Sequence, residues 1–423
     1  MEKNSGSNRR VVLRNALGLT AAAACFPWEN TVAAEPTANW PSWRGANRDG
    51  VLQTKLPSSL SSLKKQWSVS LSDSYSGPIV ASGRVFTTET VNKRNETLIA
   101  LDQQTGKEIW KREWQGAMTV PFFASANGSW IRSTPATDGN TVVVGGMRDV
   151  VAGFDAATGK EKWRIDFVKE HGSTLPSFGL VCSPLIEDGF AYMQAGGAVR
   201  KIDLETGDLV WGEMNDQGGM YGGAFSSPMV AEIFGTRQLV AQTRQTLCGI
   251  SMDTGKVLWS EDIPAFRGMN ILTPVVWNNK VFTSSYGGKG RLISLAKDGG
   301  GWSASTEYEC KTEAYMSSPV CVGEYLFIHL RNKRFACLNL NNGEENWRTT
   351  PFGDYWSLVT DGERLLTLDS GGELRLIEAD PNAYKLVDSL KVSQEPSWAH
   401  LGITGDQLFV RRQRGLDAYQ WQS

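Results

Sequence analysis

The sequence predicts an all-β fold, an eight-bladed β-propeller of four-stranded antiparallel blades, and three observations favour it. A phrase with Gly and Trp at fixed places, as in ALDQQTGKEIW at 100–110, returns roughly every 48 residues. A Ser-Pro or Thr-Pro pair stands upstream of most copies. The chain also has 44 Gly and 16 Trp among its 423 residues, which is typical of many tight turns and of aromatic packing. A period of this length indicates one supersecondary unit per repeat.

Each copy of the phrase is predicted to form a β-hairpin. In TLIALDQQTGKEIWKREW at 97–114 the residues on both sides of the turn follow the two-residue period of strands. Gly106 stands where a hairpin bulge needs a positive φ. The aromatic ring after the turn is expected to wedge against the next blade, where burying about 200 Å² contributes several kcal/mol. These structural tryptophans are Trp67, Trp110, Trp163, Trp211, Trp259, Trp302 and Trp347.

The two ends of the chain are predicted to close the ring. Each repeat supplies four strands, one after the Pro, one after the following turn, and two in the Gly hairpin. The last unit, which begins at Trp398, has sequence for only three strands, whereas LKKQWSVSL at 63–71 resembles an isolated fourth strand. Pairing the two would remove an exposed sheet edge. Residues 63–423 are therefore predicted to form the propeller, and residues 35–62 an N-terminal extension.

Residues 1–34 are predicted to be an export signal. A basic start precedes an apolar run from Ala16 to Phe26 and then a V-A-A cleavage pattern. The pair Arg9-Arg10 favours the twin-arginine type, while an ordinary secretory signal and a lipoprotein site at Cys25 remain open. The apolar run is too short to span a bilayer. We expect an exported protein of the periplasm or cell envelope, without a transmembrane span in the mature chain.

No residue pattern points to catalysis or metal binding. The formal net charge of -2 gives no nucleic-acid footprint. The three histidines are scattered, and the motifs G-x-S-x-G, H-E-x-x-H and the Walker loop are absent from the sequence. Five cysteines follow the signal, an odd number that predicts buried free thiols. We assign no catalytic residue, metal ligand or cofactor, although a carboxylate pair meeting across the channel remains open.

The AxDxxTGKxxW phrase, preceded by Ser/Thr-Pro, resembles the pyrroloquinoline-quinone-type repeat of quinoprotein dehydrogenase propellers, over residues 63–423. Those dehydrogenases have a disulfide between adjacent cysteines, a calcium held by Glu, Asn and Asp, and in some a CxxCH haem site, and the resemblance implies the same features here. This sequence has neither adjacent cysteines nor CxxCH. It is more similar to the non-catalytic eight-bladed outer-membrane assembly lipoprotein propellers, which implies a binding or assembly scaffold for protein partners. A quinone-dependent dehydrogenase and a carbohydrate-binding or carbohydrate-cleaving propeller are the alternatives.

The segment NWPSWRGANRDGV at 39–51 resembles the one that introduces many exported propellers with this repeat. Trp40 and Trp43 are expected to pack on the side of the ring or to plug one end. Arg44, Arg48 and Asp49 are expected to make local turns and ion pairs.

The residues just before the first strand of each repeat are the candidate binding site. Because that strand is innermost in a propeller, these side chains are expected to gather at the channel mouth on one face, where the longest insertions also lie. Aromatic, Met and Arg side chains are typical of binding surfaces, so we expect them to bind a protein or peptide partner. The propeller itself is expected to be monomeric. The alternative is that these aromatic side chains only plug the channel. The set is Tyr75, Trp130, Arg132, Phe178, Tyr221, Phe225, Met269, Asn270, Tyr315, Tyr355, Trp356, Trp398 and His400.

Overall fold

The computed structural model describes residues 39–216, 225–299 and 301–421. The predicted export signal and Tyr221 lie outside these ranges. Eight sheets of four antiparallel strands each form the predicted eight-bladed propeller. Within the described ranges, no helix combines the length and the apolar character needed to cross a bilayer.

The strands follow the repeats along the chain, after an initial strand β1 (Lys64–Ser70). Blade 1 comprises β2 (Ile79–Ala81), β3 (Arg84–Val91), β4 (Asn95–Asp102) and β5 (Glu108–Gln115). Blade 2 comprises β6 (Ala136–Thr137), β7 (Thr141–Gly146), β8 (Val150–Asp155) and β9 (Glu161–Asp166). Blade 3 comprises β10 (Leu185–Glu187), β11 (Phe190–Ala195), β12 (Ala198–Asp203) and β13 (Leu209–Glu213). Blade 4 comprises β14 (Met229–Ile233), β15 (Thr236–Gln242), β16 (Thr246–Ser251) and β17 (Val257–Asp262).

The second half of the ring repeats this arrangement. Blade 5 comprises β18 (Val275–Trp277), β19 (Lys280–Ser284), β20 (Gly290–Asp298) and β21 (Gly301–Cys310). Blade 6 comprises β22 (Val320–Val322), β23 (Tyr325–His329), β24 (Phe335–Asn339) and β25 (Glu345–Arg348). Blade 7 comprises β26 (Ser357–Thr360), β27 (Arg364–Leu368), β28 (Glu373–Glu378) and β29 (Leu386–Lys391). Blade 8 comprises β30 (Gly402–Thr404), β31 (Gln407–Arg412), β32 (Gly415–Gln420) and β1.

Short helices occur between blades and before β1. The α-helix α1 (Phe167–His171) follows β9, and its N-cap Asp166 accepts a hydrogen bond from the Lys169 amide. Single 3₁₀ turns cover Leu60–Ser62, Phe122–Asn127 and Phe266–Gly268. The last two lie in the connections that lead into blades 2 and 5.

The recurring phrase joins neighbouring blades through its Gly and its Trp. At the first hairpin Asp102 Oδ1 accepts hydrogen bonds from the Thr105 amide at 2.8 Å and from its hydroxyl at 2.7 Å, and Gly106 has φ +69°. A Cβ on Gly106 would lie 2.7 Å from the ring of Trp67, which belongs to blade 8. The Trp67 Nε1 donates to Gln103 O at 3.0 Å. The Gly therefore permits the turn and also makes room for the neighbouring blade's ring.

The same wedge recurs around the ring, with one correction. Trp110, Trp163, Trp211 and Trp347 each donate from Nε1 to a backbone oxygen of the next blade, and Trp259 packs into the core between blades 4 and 5.

In blade 5 the wedge is Tyr308 rather than the predicted Trp302: its hydroxyl donates to Leu340 O at 2.9 Å, and its ring covers Gly343. The β20–β21 hairpin is longer than the others. The turn signal therefore places Trp302 near the hairpin tip, against Phe234 of the preceding blade.

The predicted ring closure is present. Strand β1 pairs antiparallel with β32, from Lys64 opposite Gln420 to Ser70 opposite Gly415. The Trp67 ring lies 5.9 Å from that of Phe409 in the same blade. With this pairing, each of the eight sheets has four strands.

Residues 40–52 cross the channel, and the chain then passes along blade 7 to its outer strand β29, where the Leu60 amide donates to Asp388 Oδ2 at 2.9 Å, before it reaches β1. Trp40 exchanges backbone hydrogen bonds with Val80 of blade 1 at 2.8–2.9 Å, and Pro41 O accepts from the Thr137 amide of blade 2 at 2.9 Å. Leu52 then donates to Thr360 O of blade 7 at 2.7 Å. Residues 40–52 thus contact the innermost strands on several sides of the ring.

Candidate functional site

A cavity of about 220 Å³ opens at the end of the channel where the innermost strands begin. Most of the predicted site residues line it: Tyr75, Arg132, Phe178, Phe225, Met269, Tyr315, Tyr355, Trp356, Trp398 and His400. The remaining lining residues are Trp43, Ala124, Thr134, Val181, Ser183, Ser227, Ile271, Met316, Ser318 and Ser357. The shared position of these residues in their repeats therefore corresponds to a shared place in space.

Aromatic rings form a continuous wall on one side of this cavity. The Tyr75 and Trp398 rings stack at 4.7 Å, and Trp398 lies 4.4 Å from Tyr355. Tyr355 lies 5.8 Å from Tyr315, which stacks on Tyr286 at 4.8 Å. Burial raises the pKa of Tyr315 to about 12, so its hydroxyl stays neutral at physiological pH. Tyr355 has φ +52°, a strained backbone conformation for a non-glycine residue.

Phenylalanines form the opposite wall and continue outside the cavity. Phe178 lies 5.7 Å from Phe225 and 6.2 Å from Phe123. Phe123 and its neighbour Phe122 are on the insertion that leads into blade 2, and they are 50% and 89% exposed. The Phe122 and Phe123 rings also contact each other at 5.7 Å, and contiguous exposed apolar surface is typical of interaction sites.

Arg132 is the one charged side chain among the described residues that line the cavity. Its Nη2 donates to Gly128 O at 2.6 Å, and its guanidinium carbon lies 5.7 Å from the centre of the Tyr75 ring. Burial lowers the pKa of Arg132, but not enough to remove its charge at neutral pH. Burial lowers the pKa of His400 to about 3, so this imidazole is neutral. The cavity is therefore apolar with a positive edge.

Trp43 forms the floor and is held by two buried arginines. Its ring meets that of His400 edge-on at 5.7 Å. The guanidinium carbons of Arg44 and Arg48 each lie 5.6 Å from its centroid, and both residues are 1% exposed. Burial lowers both pKa values to about 10, so both arginines remain charged at neutral pH.

The two arginines differ from their expected role in local ion pairs. Arg44 Nη2 donates to Asp49 O at 2.8 Å and also to Pro319 O of blade 6. Arg48 Nη2 donates to Ser183 O of blade 3 at 3.0 Å. Among the described residues their partners are thus backbone oxygens, because the segment passes inside the ring where inner-strand carbonyls face it. Both arginines have positive φ, at +64° and +60°.

An arc of hydroxyl groups, contributed by blades 2 to 6, lies above this floor and was not predicted from the sequence. The Ser or Thr of each Ser/Thr-Pro pair accepts a hydrogen bond from the backbone N–H at the same place in the preceding blade. The recorded bonds are Gly77 N to Thr134 Oγ1 at 2.9 Å, Thr134 N to Ser183 Oγ at 3.0 Å, Ser183 N to Ser227 Oγ at 2.9 Å, Ser227 N to Thr273 Oγ1 at 3.3 Å and Thr273 N to Ser318 Oγ at 3.1 Å. The recurring pair was visible, but it was interpreted only as the start of a strand.

Two of the described predicted site residues, Trp130 and Asn270, do not line the cavity. Asn270 is buried, and its Nδ2 donates to the carbonyl oxygens of Thr243, Arg244 and Ile263, which gives it a structural role. Trp130 packs against Gly128 at the base of the insertion, and Tyr221 lies outside the described residues. Of those that line the cavity, Trp356 presents little surface, because it is buried and stacks on His329 at 4.8 Å.

The site does not fit the calcium-quinone centre that the dehydrogenase resemblance implies. Calcium takes oxygen ligands, chiefly carboxylates, and the described lining contains no Asp or Glu. Cys182, Cys248, Cys310, Cys321 and Cys337 are free thiols. Among the residues that the structure describes, no group of three or more His, Cys, Asp or Glu side chains could hold a metal ion.

The eight four-stranded blades, their Gly-Trp hairpins and the recurring Ser/Thr-Pro pairs define a β-propeller of the pyrroloquinoline-quinone-type repeat. A family model described as "Outer membrane protein assembly factor BamB" matches residues 58–127 and 94–349. Because the match spans more than half of the chain, the protein belongs to this family.

Individual relatives agree with that assignment. An outer membrane protein assembly factor BamB of Moranella endobia is 23% identical over 359 residues, which cover 80% of this chain and 83% of that protein. The crystal structure of BamB from Moraxella catarrhalis has a TM-score of 0.62 at 13% identity, covering 85% of this chain and 98% of that one. A europium-containing methanol dehydrogenase also has a TM-score of 0.62 at 13% identity, covering 92% and 98%. At such identities the structural likeness shows the fold alone.

Proposed function

We propose that this protein is an exported, non-catalytic scaffold of the cell envelope that binds protein partners at the aromatic cavity. The observation that carries the proposal is the pair of aromatic walls at an open cavity: one runs from Tyr75 to Tyr315, and the opposite one continues from Phe178 onto exposed phenylalanines. Membership in a family described as an assembly factor supports it, as does the predicted export signal at residues 1–34. Rings of this kind, half-buried and clustered, are typical of interface anchors.

Binding fits the chemistry of the site better than a reaction does. General acid–base catalysis needs a group that gains and loses a proton near the working pH. The cavity instead has a neutral His400, tyrosines such as Tyr315 whose pKa is raised by burial, and the permanently charged Arg132. Loops on a rigid scaffold are also where binding residues are commonly found, and the phenylalanine edge lies on such a loop.

The test removes the wall and measures capture of partners. A variant with Tyr315→Ala, Tyr355→Ala and Trp398→Ala is expected to lose capture of envelope proteins in a pull-down, because these half-buried rings supply the contact area. A matched control with Leu386→Ala and Val387→Ala removes exposed apolar side chains from the outer strand β29 and is expected to capture as the wild type does.

Circular-dichroism melts verify that both variants remain folded. Unaltered capture by the folded triple variant would overturn the proposed function. Loss of capture by the β29 control alone would move the binding surface to the outer strands.

A further inference from the structure

We propose that the cavity binds an acidic peptide segment of the partner, which inserts one aromatic or other large apolar side chain between the rings while a neighbouring carboxylate pairs with Arg132. This inference rests on the proposed function and specifies the partner's chemistry. It follows from the cavity's size, from its charge and from the apolar surface that continues beyond its mouth.

The size of the cavity suits a single side chain. A protein cavity of about 150 Å³ lined by apolar side chains holds a benzene molecule, and this one measures about 220 Å³. Its walls are aromatic rings and its other apolar members include Met269 and Met316, which adapt to irregular shapes. One inserted ring would fill most of the space.

The charge of the cavity selects a carboxylate beside that side chain. Within the described residues, Arg132 donates one hydrogen bond, to Gly128 O, out of the five N–H donors of a guanidinium. No described carboxylate lines the cavity to compete for the others. Beneath the floor, Arg44 and Arg48 are charged and are bound to carbonyl oxygens rather than to carboxylates, which adds positive potential.

Hydroxyl groups near the floor add hydrogen-bond donors that also favour a carboxylate. The oxygens of Thr134 and Ser183 each accept a backbone N–H, so their own hydrogens are the groups left to donate. A low-dielectric site with a guanidinium and donor hydroxyls favours an anion over a cation.

The apolar surface outside the cavity indicates a peptide rather than a small molecule. Phe122 and Phe123 are exposed on the insertion before blade 2, and Phe266, 52% exposed, lies before blade 5. Ring contacts connect both points to the cavity, from Phe123 to Phe178 and from Phe266 to Tyr286. A ligand that filled only the cavity would leave these separated patches uncovered, whereas a chain crossing the mouth would contact both.

The test uses fluorescence anisotropy with labelled, end-blocked peptides whose central triplets are Glu-Phe-Glu, Lys-Phe-Lys and Glu-Ala-Glu, and with unlabelled 3-phenylpropionate as a competitor. The first peptide is expected to bind about tenfold more tightly than the other two, a difference of about 1.4 kcal/mol, because each of the others lacks either the acidic or the aromatic contact. The competitor is expected to bind more weakly than that peptide, because it lacks the contacts at the rim.

Variants assign the two halves of the preference. Arg132→Gln is expected to abolish the preference for the acidic peptide, and Arg132→Lys to retain it. The control Arg112→Gln removes a guanidinium that lies 5.8 Å from the Trp110 ring on strand β5, in the same geometry but outside the cavity, and is expected to change nothing. Phe123→Ala is expected to weaken binding of the peptide without weakening binding of 3-phenylpropionate.

Equal binding of the acidic and basic peptides, or a preference that survives Arg132→Gln, would overturn the inference. Competitor binding as tight as that of the peptide would also overturn it and assign the cavity to small aryl carboxylates. These outcomes are separable from the proposed function: if charge has no effect but the triple wall variant still loses its captured partners, only the inference fails.

Discussion

Replacing Trp67 by Ala tests how the ring is closed. The indole is buried between blade 8 and blade 1, lies 5.9 Å from the Phe409 ring, covers Gly106 and donates to Gln103 O. Truncating a buried Trp costs about 3–5 kcal/mol, and the lost hydrogen bond adds about 1 kcal/mol. The expected loss of about 5 kcal/mol is a large fraction of a typical unfolding free energy of about 5–15 kcal/mol.

The position of Trp67 predicts a particular pattern of opening. Strand β1 pairs only with β32, and no hairpin turn joins these two strands, which lie at opposite ends of the propeller sequence, so its loosening opens the closure of the ring. In Trp211→Ala, the corresponding ring of an internal blade is lost, but a hairpin turn still joins β13 to its partner β12.

Hydrogen exchange measured by mass spectrometry distinguishes the two variants, with urea denaturation giving their stabilities. In Trp67→Ala, the amides of β1 and β32 are expected to exchange faster together. In Trp211→Ala they are expected to keep their wild-type protection. Equal protection of β1 in both variants would refute the idea that this ring secures the closure.

Two further predictions concern the contacts between blades. Burial raises the pKa of Glu96 to about 7, above its unfolded value, so the unfolding free energy of the wild type should fall as pH rises from about 5 through 7. The Glu96→Gln side chain still accepts a hydrogen bond from Met147 N but does not titrate. In urea titrations at pH 5 and pH 8, this variant should therefore lack up to about 3 kcal/mol of that fall. An unchanged difference between the two pH values would contradict this assignment. Gly207→Ala places a Cβ 2.7 Å from Trp163, whereas Gly189→Ala has the same positive φ and open space. Gly207→Ala should therefore cost at least about 1 kcal/mol more than Gly189→Ala in denaturation midpoints, and equal costs would mean that only the backbone conformation matters.

The repeats made most of the fold predictable. Five clear copies of one phrase predict the register of the hairpins, because an ambiguous turn or strand in one copy can be assigned by comparison with the other copies. The isolated strand at Trp67 could then be assigned to blade 8, because that blade otherwise lacks its fourth strand and would have an exposed edge. Blade 5 was the exception, since hairpin length is set by pairing across β20 and β21 rather than by the turn residues, and Tyr308 could not be identified as the wedge.

The site was predictable as a position but not as a set of contacts. A shared place in the repeat located Tyr75, Tyr355 and Trp398 at the channel mouth, because all repeats share one topology. It did not fix the direction of side chains on the irregular insertions, so Trp130 and Asn270 pack elsewhere.

The floor depends on a segment whose path is set by long-range contacts. Trp43 reaches the cavity because Arg44 and Arg48 bind carbonyl oxygens of blades 6 and 3. No local pattern in 39–51 specifies those partners. The arc of hydroxyl groups, in contrast, could have been predicted from the recurring Ser/Thr-Pro pairs, because the same residue type returns at the same place in each repeat.

Photo-crosslinking in cells tests most directly whether partners bind at the channel mouth. A benzophenone amino acid would replace Phe123, which is exposed beside the cavity, or Phe234, which is 44% exposed on the β14–β15 turn at the far end of blade 4. The account predicts a covalent adduct with an envelope protein from position 123 and none from position 234. Adducts from position 234 with none from position 123 would contradict it.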